Sequence, residues 1–308
     1  MDIKQLRFLV ALEETGHFGQ AAARCHVTQP TLSMRLRNLE EELGLELVRR
    51  GQRFEGFTEE GRRILAWARG LLAAQDGLYA EAAACRGQLV GTLRLGVVPL
   101  AGFDPMRLLR LFAAAHPELR FRLFALSSEQ ILERLASNQL DLGLSYLERL
   151  DREHFDSLAL ADTRMGLLYD HRHFSIDPAN LSWEAVAAQP LGLLSSGMHF
   201  RQSIDHALRS RGLNPQPRLE TDAVHQLLQA VRAGLCCAVL PLHSGLDRLA
   251  EGLTLSPIDA AQTLAPLGLI LRRAAPRSAL AEACFNAART LLAEDSIEPI
   301  DQHIDHSD

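Results

Sequence analysis

The feature that most limits what this chain can fold into lies between Gln20 and Phe54. Leu32, Leu36, Leu39 and Leu43 recur at i, i+4, i+7 and i+11, the spacing of one buried stripe along a helix. Thr28 is placed to cap that helix, and Pro30 falls in its first turn, where a missing N–H costs nothing. At about 100° per residue, Pro30, Thr31, Met34 and Arg37 point away from the stripe, flanked by Ser33 and Arg35. From Gln20 to Leu39 there are three arginines (Arg24, Arg35, Arg37) and no acid, although residues 1–60 hold ten acids. Val48 to Phe54 adds Arg49, Arg50 and Arg53 around Gly51, a hairpin pattern again without an acid. A leucine stripe needs covering, and two segments upstream are suited to it. Asp2 to Glu14 offers Leu6, Leu9, Val10 and Leu12 and ends at Gly16, while Gly19 to Cys25 offers the small residues Ala21, Ala22 and Cys25. The pattern predicts a helix-turn-helix followed by a basic two-stranded wing, with the third helix in the major groove of DNA and arginines on flanking phosphates. A small helical bundle with a solvated basic face is the plain alternative, and the concentration of arginine on two adjacent elements argues against it.

Total charge is silent on this point, at −6 for 308 residues, but of the 32 basic residues only Lys4 is lysine, so fork-shaped donors dominate. No apolar run is long enough to span a bilayer, and Met1 to Gln5 opens no signal-peptide core, so a cytoplasmic protein without membrane partners is expected. Five scattered cysteines (Cys25, Cys85, Cys236, Cys237, Cys284) form no C-x-x-C pair, which argues against disulfides and structural zinc.

The string from Phe18 to Ser33 (FGQAAARCHVTQPTLS), continued by Leu39 to Gly44 and Phe57 to Gly61, resembles the N-terminal signature of LysR-type transcriptional regulators. A looser likeness, around Pro117, Leu140 to Leu142 and Ala233 to Leu235, extends to about residue 293. The resemblance implies that Gln29, Pro30, Thr31, Ser33 and Met34 face the bases and that Arg49, Arg50 and Arg53 are wing contacts. With Arg24, Thr28, Arg35 and Arg37 they make up the expected DNA-binding set. Three positions depart from the family pattern. Met34 stands where arginine is frequent, which suggests apolar contact with a thymine methyl. His17 and Gly19 replace common hydroxyl residues, placing a helix cap in question, and Cys25 replaces a usual leucine as a small buried residue.

Thr58 is placed to cap a helix reaching about Arg86, with Ile64, Leu65, Ala68, Leu71, Leu72, Leu78 and Tyr79 in a heptad-like stripe. At roughly 43 Å it is too long for a small head to cover, so a second copy is the expected partner, with packing on its own C-terminal domain as the alternative. The resemblance extends this to a tetramer, and RNA polymerase is a further partner left open.

From Gly91 onward strand-like and helical runs alternate. Leu93–Val98, Leu119–Ala125 (half-buried) and Leu140–Leu144 read as strands, with helices over 105–115 and after Ser127, implying a parallel sheet. A second unit runs through strands at Met165–Tyr169, Pro190–Leu194, Leu219–Thr221 and Cys236–Leu240 and helices to Arg211 and over 222–233. The chain returns through Leu264–Leu271 into a closing helix, Arg277 to Ala293. Two α/β lobes joined by crossings near Leu160–Thr163 and Thr263–Pro266 resemble the periplasmic-binding-protein architecture of the family's effector domain. The expected fold is thus α+β and multidomain: a winged helix-turn-helix over 1–58, a linker or dimerisation helix over 59–87, a two-lobed α/β effector domain over 91–293 and a disordered acidic tail over 294–308. Lobe I takes about 91–161 and 267–293, and lobe II about 162–266.

A cleft between such lobes gathers the C-terminal strand ends. Its candidates are Val98, Pro99, Leu100, Ser127, Ser128, Ser195, Ser196, His199, Phe200, Arg201, Asp222 and His225. Serines at helix starts favour an anion, and Arg201 can fork a carboxylate, so a small anionic effector is expected, although such serines are often mere caps. Enzyme readings fail: Gly-x-Ser-x-Gly, the phosphate-cradling Gly-x-x-x-x-Gly-Lys and His-Glu-x-x-His are missing from the sequence, and no catalytic residue, metal or cofactor is expected. His171 and His173 lack an obvious third metal ligand, as do His303 and His306. The adjacent Cys236 and Cys237 keep a thiol-based redox regulator as the alternative, and a solute-binding protein is more remote because it needs no basic head.

Overall fold

The computed structural model describes residues 1–50, 54–86, 89–148, 150–160, 163–245, 252–262, 266–274 and 277–295. Arg53, the side chain of Arg50, the middle of the first expected crossing, most of the second and the tail beyond residue 295 lie outside the described residues.

The head begins with α1 (Ile3–Thr15), closed by a capping box in which Asp2 accepts from the Gln5 N–H at 2.8 Å and Gln5 accepts from the Asp2 N–H at 2.7 Å. Gly16, at φ 63°, ends it in the left-handed conformation that glycine adopts without steric cost. The cap questioned at His17 is present after all. Its imidazole Nδ1 accepts from the Gly19 N–H at 3.0 Å and the Gln20 N–H at 3.4 Å, so α2 (Phe18–Arg24) starts one residue earlier than expected. After a turn with His26 at φ 55°, Thr28 caps α3 (Gln29–Leu43). Leu32, Leu36 and Leu39 are buried against Leu6, Leu9, Leu12, Ala21 and Ala22, while Leu43 at the far end is only half-buried.

The wing pairs β1 (Val48–Arg50) antiparallel with β2 (Phe54–Phe57). Glu40 anchors its base by accepting from the Leu47 and Val48 N–H groups at 2.9 and 3.0 Å. The Phe54 ring stands edge-on to Phe18 at 6.0 Å and Phe57 at 5.3 Å, fastening the hairpin to α2. Thr58 then caps α4 (Glu59–Ala84). Its first turn passes so close to the Leu47 carbonyl that a Cβ at Gly61 would overlap it. The expected continuous stripe on α4 is in fact two stripes. Leu65 and Ala68 are buried in the head core with Ile64 and Leu72 beside them, whereas Leu71, Leu78 and Tyr79 are exposed, together with Trp67 at 74%.

The second unit runs β3 (Gly91–Val97), α5 (Pro105–Ala115), β4 (Leu119–Ala125), α6 (Ser128–Ala136), β5 (Leu142–Tyr146) and β6 (Phe155–Ala159). It continues with β7 (Arg164–Tyr169), α7 (Trp183–Ala187), β8 (Leu191–Leu194), α8 (His199–Arg209), β9 (Leu219–Thr221), α9 (Val224–Arg232) and β10 (Cys237–Pro241). It ends with β11 (Thr254–Gln262), β12 (Leu267–Arg272) and α10 (Ala279–Asp295). Two five-stranded sheets result, ordered β4-β3-β5-β12-β6 and β11-β7-β10-β8-β9.

The expected parallel pairing holds for β3, β4 and β5, and antiparallel strands join it in both sheets. The pairs β3–β4, β3–β5, β8–β9 and β8–β10 are parallel, but β12 enters antiparallel between β5 and β6, and β7 lies antiparallel to both β10 and β11. The chain passes between sheets twice, after β6 and after β11. Strands β6 and β11 and helix α7 were not expected at all. Pro257 within β11 reads as a strand breaker, yet at a sheet edge its missing N–H removes no ladder bond. β4 is an edge strand too, and contrary to the half-buried expectation its Leu123 is 44% exposed.

Candidate functional site

On the head, the exposed face of α3 carries Gln29, Pro30, Met34 and Arg37, with Thr31 and Ser33 half-buried at its margin. Met34 is 53% exposed, and a thioether left in water over a complete leucine core has no packing role there. Thr28 is engaged as the cap, its hydroxyl also 2.8 Å from that of Thr31. Folding changes the charge picture. Arg24 pairs with Glu14 at 2.7 Å and Arg35 with Asp2 at 3.4 Å, because α1 and its cap lay acids beside arginines of the next two helices. Both pairs are roughly half exposed, so a phosphate can displace the carboxylate at little cost. Arg37 and Arg49 are exposed and make no ion pair with any described residue.

In the second unit a cleft of about 310 Å³ opens at the C-terminal ends of β3, β4 and β5 and the first turns of α6 and α8. It is lined by Val98, Pro99, Ser127, Ser128, His199, Phe200 and Asp222 of the expected set. Ser127 closes a capping box with Gln130: its hydroxyl accepts from the Gln130 N–H at 3.3 Å and its own N–H donates to Gln130 Oε1 at 3.1 Å. The Ser128 hydroxyl oxygen is buried and has no hydrogen-bond partner. The His199 ring stacks on Tyr146 at 4.0 Å, with Nδ1 3.6 Å from Glu148 Oε2. Burial pushes the Tyr146 phenol well above its ordinary range, so it stays a neutral donor, 3.4 Å from the Leu100 carbonyl.

The remaining expected residues do not line this cleft. The Leu100 side chain is buried in the core of the second sheet with Met165, Tyr169 and Trp183, reached through a backbone at φ 56°. Ser196 and His225 are exposed elsewhere, and Ser195 is held by its backbone to Thr221. Arg201 is the largest correction. Its guanidinium donates to the Leu194 carbonyl at 2.7 Å, Asp205 at 2.7 Å and Glu220 at 3.1 Å, so its fork is occupied within lobe II and is not offered to a ligand.

Residues 3–62 match the bacterial regulatory helix-turn-helix protein, lysR family, and residues 86–293 match the LysR substrate binding domain. The chain belongs to the LysR family. Among curated LysR relatives, the HTH-type transcriptional regulator EstR of Acinetobacter baylyi is 31% identical, covering 89% of this chain and 91% of its own. The DNA-binding transcriptional dual regulator OxyR of Escherichia coli K12 is 29% identical, covering 94% and 95%. Full-length OxyR of Pseudomonas aeruginosa superposes with a TM-score of 0.71 at 25% identity, covering 98% and 99%. CbnR solved with its target DNA gives 0.70 at 20% identity over 94% and 99%, a likeness of fold. The chain is therefore a DNA-binding transcriptional regulator with an effector-binding domain.

Met198, within the expected stretch from Ser195 to Arg201, also lines this LysR cleft, and sequence reasoning missed four further residues: Ala125, Leu126, Gln130 and Tyr146. Tyr146 was open to discovery, since it ends a strand at the C-terminal edge where such clefts form. The thiols are equally informative. Burial raises Cys236 and Cys25 above their ordinary range and pushes Cys237 and Cys284 up to about 12, and no cysteine lines the cleft. No cluster of three potential metal ligands occurs among the described residues, and His173 packs its exposed ring on Gly234. No described helix is long and apolar enough to cross a membrane.

Proposed function

We propose that Gln29, Pro30, Thr31, Ser33 and Met34 present α3 to base edges in a major groove, while Arg24, Arg35, Arg37, Arg49, Arg50 and Arg53 hold the flanking phosphates. The observation that carries this reading is Met34, exposed over a head core that is complete without it. The outward stripe of Trp67, Leu71 and Leu78 on α4 is the surface a second copy covers, giving two heads for a two-fold operator. A small molecule in the cleft at Ser128 and His199 shifts the equilibrium between assembly states by binding them unequally.

The test uses a selected operator fragment. Arg37→Ala weakens binding to all sequences about equally and lowers the salt slope by about 1, whereas Met34→Ala changes preference at one or two base pairs. The reverse outcome overturns the face assignment. A thiol switch, suggested by the OxyR relatives, has little support from the effector domain, whose cysteines are all buried in their thiol form.

A further inference from the structure

The charges of the cleft do not suit a simple anion. Among the described residues no arginine or lysine lines it, and Arg201, in the first turn of α8, is neutralised by Asp205 and Glu220. Among the described lining residues the one formal charge is Asp222, exposed just before α9 and making no hydrogen bond or ion pair with any described residue. A ligand carrying only carboxylates would meet a carboxylate with nothing to balance it.

The Thr221 carbonyl accepts from the Ser195 N–H at 3.0 Å, which sets Asp222 beside the loop that leads into α8. α8 starts at His199 behind Met198, whose side chain makes no capping bond, so the first-turn N–H groups of Phe200 and Arg201 receive no side-chain cap. The buried Ser128 hydroxyl, which lines the same cleft, has no hydrogen-bond partner. Together they offer N–H and O–H donors to one carboxylate. Leu126, Met198, Phe200 and Val98 supply the apolar wall for the side chain, and about 310 Å³ lies at the small end of ligand sites.

We propose that the cleft takes a small zwitterion, an α-amino acid with an apolar side chain, its carboxylate on Ser128 and the α8 N-terminus and its ammonium on Asp222. This rests on the effector reading given above, and the two fail differently.

The experiment titrates the full-length protein with L-leucine, L-methionine and L-phenylalanine, each beside its 2-hydroxy acid and its decarboxylated amine. Thermal shift at about 10 mM registers any site of millimolar affinity, and calorimetry gives the affinity. At least one amino acid binds, and its hydroxy acid and amine bind at least about tenfold more weakly. Asp222→Asn brings the amino acid to within about twofold of the hydroxy acid, while Ser128→Ala weakens both together. If none of these compounds binds, if a hydroxy acid matches its amino acid, or if the preference survives Asp222→Asn, the zwitterion assignment is wrong. Ala125→Trp places a large ring on an exposed strand position facing the cleft; a compound that binds wild type and this variant equally well would overturn the cleft itself.

Discussion

Replacing Arg201 with alanine should unfold lobe II more readily rather than strip the cleft of an anion clamp. The side chain is 10% exposed, and three acceptors converge on it. Burial alone would lower its pKa, but the bonds to Asp205 and Glu220 more than offset that and raise it, so the guanidinium is charged at every workable pH. The Leu194 carbonyl loses a charged donor, worth about 1.5–3 kcal/mol when the acceptor stays buried. Asp205, 24% exposed, adds about 1 kcal/mol, and Glu220, 46% exposed, adds little because water replaces the lost partner. The sum is about 2.5–4 kcal/mol, which for a domain of this size lowers the melting temperature by roughly 10 °C. Thermal and urea unfolding of the ligand-free variant, followed by circular dichroism, measures it. A melting temperature within about 2 °C of wild type, with loss of ligand affinity alone, would refute this account and restore Arg201 to the ligand.

Gly61→Ala should destabilise the head by about 1–3 kcal/mol or more, since the new methyl meets the Leu47 backbone carbonyl, which cannot rotate away; urea unfolding and operator affinity report it. In the native protein, iodoacetamide at neutral pH should label Cys85, which is exposed, far faster than Cys236, Cys237 or Cys284; comparable modification at the buried thiols, read by mass spectrometry, would reopen the redox alternative. Asp156, hydrogen-bonded by Arg273 and then Arg277, has its carboxyl held below the ordinary range. A depressed carboxylate contributes stability above its unfolded value and loses it as pH falls through the folded one. Asp156→Asn should therefore be about 1 kcal/mol less stable near pH 7, and the gap should close below about pH 4 in paired urea titrations.

The head was legible in the sequence because its determinants are local. The leucine spacing of α3, the caps at Thr28 and Thr58 and the stop at Gly16 each depend on residues within a few positions, where backbone geometry leaves few choices. His17 is the local exception: an imidazole does the work of the expected hydroxyl. What only the tertiary structure decided involves partners distant along the chain. The antiparallel insertion of β12 beside β5, the pairing of Arg24 and Arg35 with acids of α1 and its cap, and the burial of Leu100 in the second sheet leave no periodic trace. Arg201 makes the same point from the other side. A forked cation near a helix start reads as a ligand clamp, yet Glu220, 19 residues away, and the Leu194 carbonyl occupy it. Periodicity reports which face of an element is buried; it does not report which polar groups meet once that face is covered, and those meetings set the charge of the cleft.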